Sequence, residues 1–344
     1  MRLLRRSVVA VLLVTCSALA SRADAAIAPG PLGALQLKLS AMSQHAPGHV
    51  GIMVEDLQTG LSSSVNADAQ MPAASTIKVP VMVEVFERLA HGDFDLNRTV
   101  TLQRSDKDWG WGDLSDARLG SKYTVARLLA LMITESDNTA TNMLIRLVGR
   151  KAINREMAAL GLAQTRLHDY IRSEGPIRYA LRSSAGDMVK LLTAMARYQL
   201  VDEWSSRAMI SIMAGQHHNG LIPAPLPTGT TIAHKTGELH DTLNDVGIVY
   251  LESEPYVMAV MTTNLRTLDA GYTFIHGVSR VAYRELARFS AWREANDIAT
   301  LPDDVDAAPA TGNPERDLQM WTAPEGTPAD ALPMTVAPAR QPGS

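Results

Sequence analysis

The chain has 344 residues, 46% hydrophobic, 20% charged and 5% aromatic, with 32 basic side chains against 36 acidic ones. That mixture suits a large core in one or two domains and excludes a collagen-like or wholly disordered chain. A net charge of −4 argues against a nucleic-acid partner, and a single cysteine excludes both an internal disulfide framework and a multi-cysteine metal site.

The first 25 residues read as a removable export signal. Arg2, Arg5 and Arg6 precede an apolar run over residues 7–19, and two small-x-small sites follow, Ala18-Leu19-Ala20 and Ala23-Asp24-Ala25. The run is shorter than the roughly 20 residues of a membrane span. Thr15, where a small residue would be needed, argues against lipidation of Cys16, and the context of Arg5-Arg6 is poor for a twin-arginine route. Cleavage after Ala25 is expected. It leaves a cysteine-free chain of net charge −7 for the periplasm or the medium.

Leu35, Leu39 and Met42 are spaced for one face of an opening helix. Residues 49–56 (HVGIMVED) read as a strand, and Thr59-Gly60 as a turn before a second strand near 61–65. From Ser75 to about Leu200 the pattern is mostly helical, with Val125, Leu128, Leu129 and Met132, then Met143, Leu144 and Leu147, at helical spacing. Strands are expected again at 230–236, 246–251 and 256–263. In the last of these both alternating sets are apolar, which predicts cover on both faces. A helix over about 271–289 closes the fold. Residues 302–344 hold 8 prolines and 8 alanines and read as a flexible tail. The order predicts an α+β fold with a sheet domain (31–73 plus 201–292) interrupted by an all-helical domain (74–200), and a cleft where they meet.

Three short segments carry candidate chemistry. Ser75 and Lys78, three apart, share a helix face, so the lysine can take the serine's proton and make it nucleophilic. Ser75 would otherwise be a helix cap, and Pro80 must fall in the first turn or bend the helix. Ser136-Asp137-Asn138 opens a helix: the serine suits a proton relay to a leaving amine, Asn138 suits a contact to Lys78 and a substrate amide, and the bland alternative is an ordinary cap. Lys235-Thr236-Gly237 ends a strand, where Lys235 and Thr236 could bind a carboxylate and Gly237 would let a substrate backbone approach.

Together, in this order, the three segments resemble the signature of class A β-lactamases and the related penicillin-binding proteins. Ser136-Asp137-Asn138-Thr139-Ala140-Thr141-Asn142 and Leu226-Pro227-x-Gly229 add to the likeness, which runs from about residue 31 to 289. The resemblance implies an antiparallel sheet flanked by helices, an inserted helical domain and an active serine between them. By resemblance, Ser75 is the acylated nucleophile, Lys78 the base or proton shuttle, and Ser136 the donor to the β-lactam nitrogen. Lys235 and Thr236 hold the carboxylate, and the N–H groups of Ser75 and Glu238 form the oxyanion hole. Trp111 falls where the family carries an aromatic gate; a loop staple is its alternative.

The likeness breaks at the loop that supplies the family's water-activating glutamate. Here the stretch is Arg166-Leu167-His168-Asp169-Tyr170-Ile171, with Ile171 at the glutamate position. Glu174 is the candidate replacement and Asp169 a weaker one, so slow release of the acyl group is expected. The arginine that many relatives aim at the carboxylate is missing from residues 240–246, leaving His240 or Arg266 as substitutes. His217 and His218 are adjacent and cannot share a face, so no metal site is expected, and no cofactor. The expected partner is a β-lactam or a cell-wall peptide, with no nucleic acid, no membrane span in the mature form and a monomeric state. A D-alanyl-D-alanine peptidase or esterase, and a non-turnover β-lactam or peptidoglycan sensor, remain as alternatives.

Overall fold

The computed structural model describes residues 30–175, 180–251 and 254–301. The expected export signal and most of the expected tail lie outside the described residues. Helix α1 (Gly30–Gln44) leads into β1 (His49–Asp56) and β2 (Ser62–Val65). The chain then leaves the sheet through β3 (Met71–Pro72) and a 3₁₀ turn (Ala74–Ile77) into α2 (Lys78–Ala90). Next come β4 (Thr99–Thr101), β5 (Lys122–Thr124), α3 (Val125–Thr134), α4 (Asn138–Val148) and α5 (Arg150–Ala159). After β6 (Arg166–Leu167), β7 (Leu181–Ser183), α6 (Ala185–Ala196) and α7 (Glu203–Ala214), the chain returns as β8 (Thr231–Leu239), β9 (Thr242–Tyr250), β10 (Tyr256–Thr263) and α8 (Leu268–Ala295).

The main sheet is antiparallel throughout, in the order β2-β1-β10-β9-β8. Strand β10 shows why both of its faces are apolar. Met258 and Val260 join Leu35, Leu39, Ile275, Val278 and Leu286 of α1 and α8 in one core. Val257, Ala259 and Met261 join Met188, Val189 and Leu192 of α6 in a second core that continues through α2, α3 and α4. The inserted helices therefore rest on the sheet through a shared apolar layer, which fixes the two walls of the cleft relative to each other.

Two features lie outside the periodicity-based expectation. Helix α7 follows residue 200, and two small ladders, β4-β5 and β3-β7-β6, sit within or beside the helical part. Strands of two or three residues are too short to show alternation in sequence. Pro80 occupies the first turn of α2, where its missing N–H costs nothing.

On the side away from the cleft, Glu254 is fully buried and paired with Arg293 (3.2 and 3.3 Å). Burial, with the nearby Asp56 charge, raises its pKa to about 7 against the pull of Arg293. The folded chain thus holds this proton more tightly than the unfolded one, so the contribution to stability is full below about pH 4.5 and is lost as the pH rises through about 7. Thermal melts should show a decline in Tm between pH 5 and 8 that is smaller in Glu254→Gln; equal slopes would contradict the assignment.

Candidate active site

The nucleophile candidate sits on a strained turn. Ala74 has φ +49°, in the left-handed region that residues with a side chain rarely adopt. The turn is held from β9: Asn244 Nδ2 donates to the carbonyls of Pro72 (2.9 Å) and Ala73 (3.1 Å), while its Oδ1 accepts from Thr262 N–H. It is held from β8 by the absence of a side chain. A Cβ on Gly237 would lie 2.9 Å from Ala73 O and 3.1 Å from Ser75 N. Gly237 is therefore required by the protein's own turn, a different reason from the substrate approach expected from sequence. Ser75 does not cap a helix: the residue before α2 is Ile77, and no side chain caps either the turn or α2.

Ser136 forms the second wall, again with positive φ (+56°). Asp137 between the two site residues does what a cap does: its Oδ1 accepts from Ala140 N–H (2.7 Å) and its Oδ2 from Leu114 N–H (2.9 Å). The cap reading holds for Asp137, and the expected contact of Asn138 with Lys78 is present; the cap fixes the α4 terminus and so fixes Ser136 and Asn138.

The lysines converge on Ser136. Lys78 Nζ donates to Ser136 O (2.6 Å), Ser136 Oγ (3.0 Å) and Asn138 Oδ1 (2.7 Å). Lys235 Nζ donates to Ser136 Oγ (3.1 Å) and Thr236 O (2.9 Å). Both lysines are fully buried. Burial, then the neighbouring Lys235 charge, pushes Lys78 well below its ordinary range; Asp137 and Asp108 oppose this without cancelling it. Burial pulls Lys235 down to about 7, against Asp245. Asp245 is itself held by His234 Nδ1 (2.9 Å) and Ile222 N–H (2.9 Å). All three donors of the Lys78 ammonium are used on the Ser136–Asn138 side, so in this resting arrangement none reaches Ser75.

The cleft has two lobes of about 350 and 340 Å³ that share Ser75, Trp111 and Glu238. Lobe one adds Asn138, Ile171, Arg172, Ser173 and His240; lobe two adds Ser136, His218, Thr236, Gly237 and Tyr272. Trp111 is 46% exposed and packs edge-on against His218 (5.5 Å), so it is a wall of the cleft and not a surface staple. Tyr272 Oη donates to Glu238 Oε2 (3.4 Å). Of the two substitutes for the missing arginine, His240 lines lobe one, whereas Arg266 is exposed and lines neither lobe.

The loop after β6 brings Ile171 into lobe one, 5% exposed. Asn142 clamps its backbone, accepting from Ile171 N–H (2.8 Å) and donating to Ile171 O (3.0 Å). Glu174, the expected stand-in for the water base, is exposed and lines neither lobe, while Arg172, Ser173 and Gly175 around it do line lobe one. Asp169 is exposed and pairs with Arg150 (3.5 Å). The loop's inward contacts are spent on Ile171 and Ser173, which leaves both acids outside the cleft. Sequence reasoning did not find Asp108, and it gave Asn142 as part of the likeness without a role; their partners include residues 29 to 65 positions away. Among the described residues no cluster of three or more histidines, cysteines or acids could hold a metal ion, and no helix is long and apolar enough to cross a membrane.

Two buried lysines that share Ser136, beside a cleft that Ser75 also lines, suit a hydrolase of the active-serine kind. A model of the "Beta-lactamase enzyme family" matches residues 34–286. The chain resembles the structure of PBP-A at 31% identity and TM-score 0.71, covering 76% of this chain and 99% of that one. A β-lactamase from Sphaerobacter thermophilus DSM 20745 matches at 29% identity and TM-score 0.68, over 74% and 97%. A point mutant of PBP-A, solved as an acyl-enzyme complex with penicillin-G, matches at 30% identity and TM-score 0.70, over 76% and 100%. The chain belongs to the β-lactamase enzyme family and is a serine hydrolase of that type.

Gly237→Ala should push the nucleophile turn off β8. We expect a loss of about 1–3 kcal/mol in denaturant unfolding together with slower labelling of Ser75 by a fluorescent penicillin. Unchanged stability and labelling would show that the turn does not depend on this contact.

Proposed function

We propose that the protein is an exported, monomeric enzyme that opens β-lactam rings through an ester on Ser75. Ser75 Oγ attacks the lactam carbonyl carbon, and its proton goes to the neutral amine of Lys78. The oxygen of the tetrahedral intermediate rests on the N–H groups of Ser75 and Glu238. Collapse breaks the carbon–nitrogen bond as Ser136 gives its proton to the nitrogen, and Lys78 returns a proton to Ser136. Water then hydrolyses the ester and frees Ser75. Thr236, with Lys235 behind it, receives the substrate carboxylate in lobe two, and Asn138 receives the acyl amide in lobe one.

One observation carries this reading. A serine hydroxyl has two lone pairs and one proton. Both lysine amines lie within hydrogen-bond distance of Ser136 Oγ, and Ser136 lines lobe two, so a proton can pass from an amine to this oxygen and from it to a group in the lobe. That is the relay a donor to a leaving nitrogen needs. Burial and the Lys235 charge weaken the hold of Lys78 on its proton, which supports the other half, an amine that exchanges its proton readily.

Release of the acyl group is slow in this reading, because Ile171 fills the place of a water base and Glu174 stands outside the cleft. The same isoleucine favours a second reading, a D-alanyl-D-alanine peptidase or a β-lactam sensor in which acyl-Ser75 is long-lived. Release of D-alanine from a pentapeptide supports the peptidase; an adduct lasting for days supports the sensor.

Penicillin should add its mass to the wild-type chain and not to Ser75→Ala. Absence of the adduct in wild type removes the acyl-enzyme reading. Ile171→Glu should speed deacylation at least about tenfold with little change in acylation, measured by decay of the adduct after excess ligand is removed; an unaltered half-life would show that the isoleucine is not what limits release.

A further inference from the structure

Asp108 belongs to none of the three motifs and lines neither lobe, yet it is the most heavily bonded carboxylate near the site. It is 5% exposed. Its Oδ1 accepts from Asn138 Nδ2 (2.8 Å), from Gly110 N–H (3.1 Å) and from the Ser173 hydroxyl; its Oδ2 accepts from Ser173 N–H (2.6 Å). Burial pushes its pKa up, but the hydrogen bonds from Ser173, Asn138 and Gly110 outweigh burial and hold it below the ordinary carboxylate value. It is an anion with its lone pairs engaged, and so is a poor candidate for a base.

The consequence falls on Asn138. One end of its amide faces the Lys78 ammonium through Oδ1 (2.7 Å) and the other faces the Asp108 carboxylate through Nδ2 (2.8 Å). A flipped amide would put NH₂ against a cation and a carbonyl against an anion, so the two charges lock its orientation. Nδ2 keeps one further N–H, and Asn138 lines lobe one, so that donor is available to a substrate carbonyl. The same carboxylate ties down Ser173, which also lines lobe one. A Cβ on Gly110 would lie 3.0 Å from Asn138 Nδ2 and overlap Ser173 Oγ, so the three groups meet with no spare room.

We propose that Asp108 is a positioning residue: it sets the Asn138 amide to receive the acyl-amide carbonyl of the substrate, docks the 171–175 loop beside it, and places a negative charge across that amide from Lys78. This rests on the reading that Ser75 is acylated.

The test compares Asp108→Asn and Ser173→Ala in the full chain. Asp108→Asn should slow acylation by penicillin G at least about tenfold, and should slow acylation by 6-aminopenicillanic acid, which lacks the acyl amide, by much less. Its negative charge favours the Lys78 ammonium, so removing it lowers the Lys78 pKa, and the acid limb of the acylation pH profile should move to lower pH. Loss of packing alone would slow both substrates equally and leave the limb in place. Ser173→Ala keeps the charge and should leave the limb where it is while speeding amide exchange in residues 171–175. Equal slowing of the two substrates with an unmoved limb overturns the proposal, as does wild-type behaviour of Asp108→Asn. If wild type forms no adduct, the Ser75 reading is what fails; Lys78 titration by NMR then still decides Asp108, an unshifted value in Asp108→Asn overturning its role.

Discussion

Two buried amines meeting on one neutral oxygen is the arrangement on which the site turns. Lys78 and Lys235 both donate to Ser136 Oγ, and neither has solvent to spread its charge. Two full positive charges so placed would repel strongly in a dry interior. Burial and mutual repulsion weaken Lys78's hold on its proton, and burial weakens that of Lys235, while the acids nearby work against this. A proton taken up by either amine is therefore readily passed on, which is the property an acyl-transfer site needs.

The strain follows the same logic. Ala74 and Ser136 both take left-handed backbone conformations, the first pinned from a distant strand and the second by the residue beside it. Asn244 holds the turn before Ser75, and the Asp137 cap holds the turn at Ser136. Such conformations persist when surrounding contacts over-determine them. Here the contacts come from β9 and from the start of α4, one on each wall of the cleft.

Much of this was legible beforehand, and the parts that were not share a cause. Periodicity located α3, α4 and β10 because each buries a regular apolar face, and the doubly apolar pattern of β10 matched the cores on its two sides. The motif segments around Ser75, Ser136 and Lys235 were ordinary one by one and stood out only through their joint resemblance to a family, and the structure brings them together. The roles of Asp108 and Asn244 were invisible because their partners are remote in sequence and a lone polar residue in a loop or strand carries no period. Glu174 misled for the converse reason: nearness to Ile171 along the chain says nothing about which side chains a loop turns inward.

The cap at Asp137 has a consequence for how the molecule ages under heat. Its flanking residues are both site residues, so the machinery is only as durable as the first turn of one eleven-residue helix. That turn is buried and tied to Lys78, Asp108 and Leu114 from other segments, so it opens only with the core around it, and activity and the bulk spectroscopic signal should be lost together on warming.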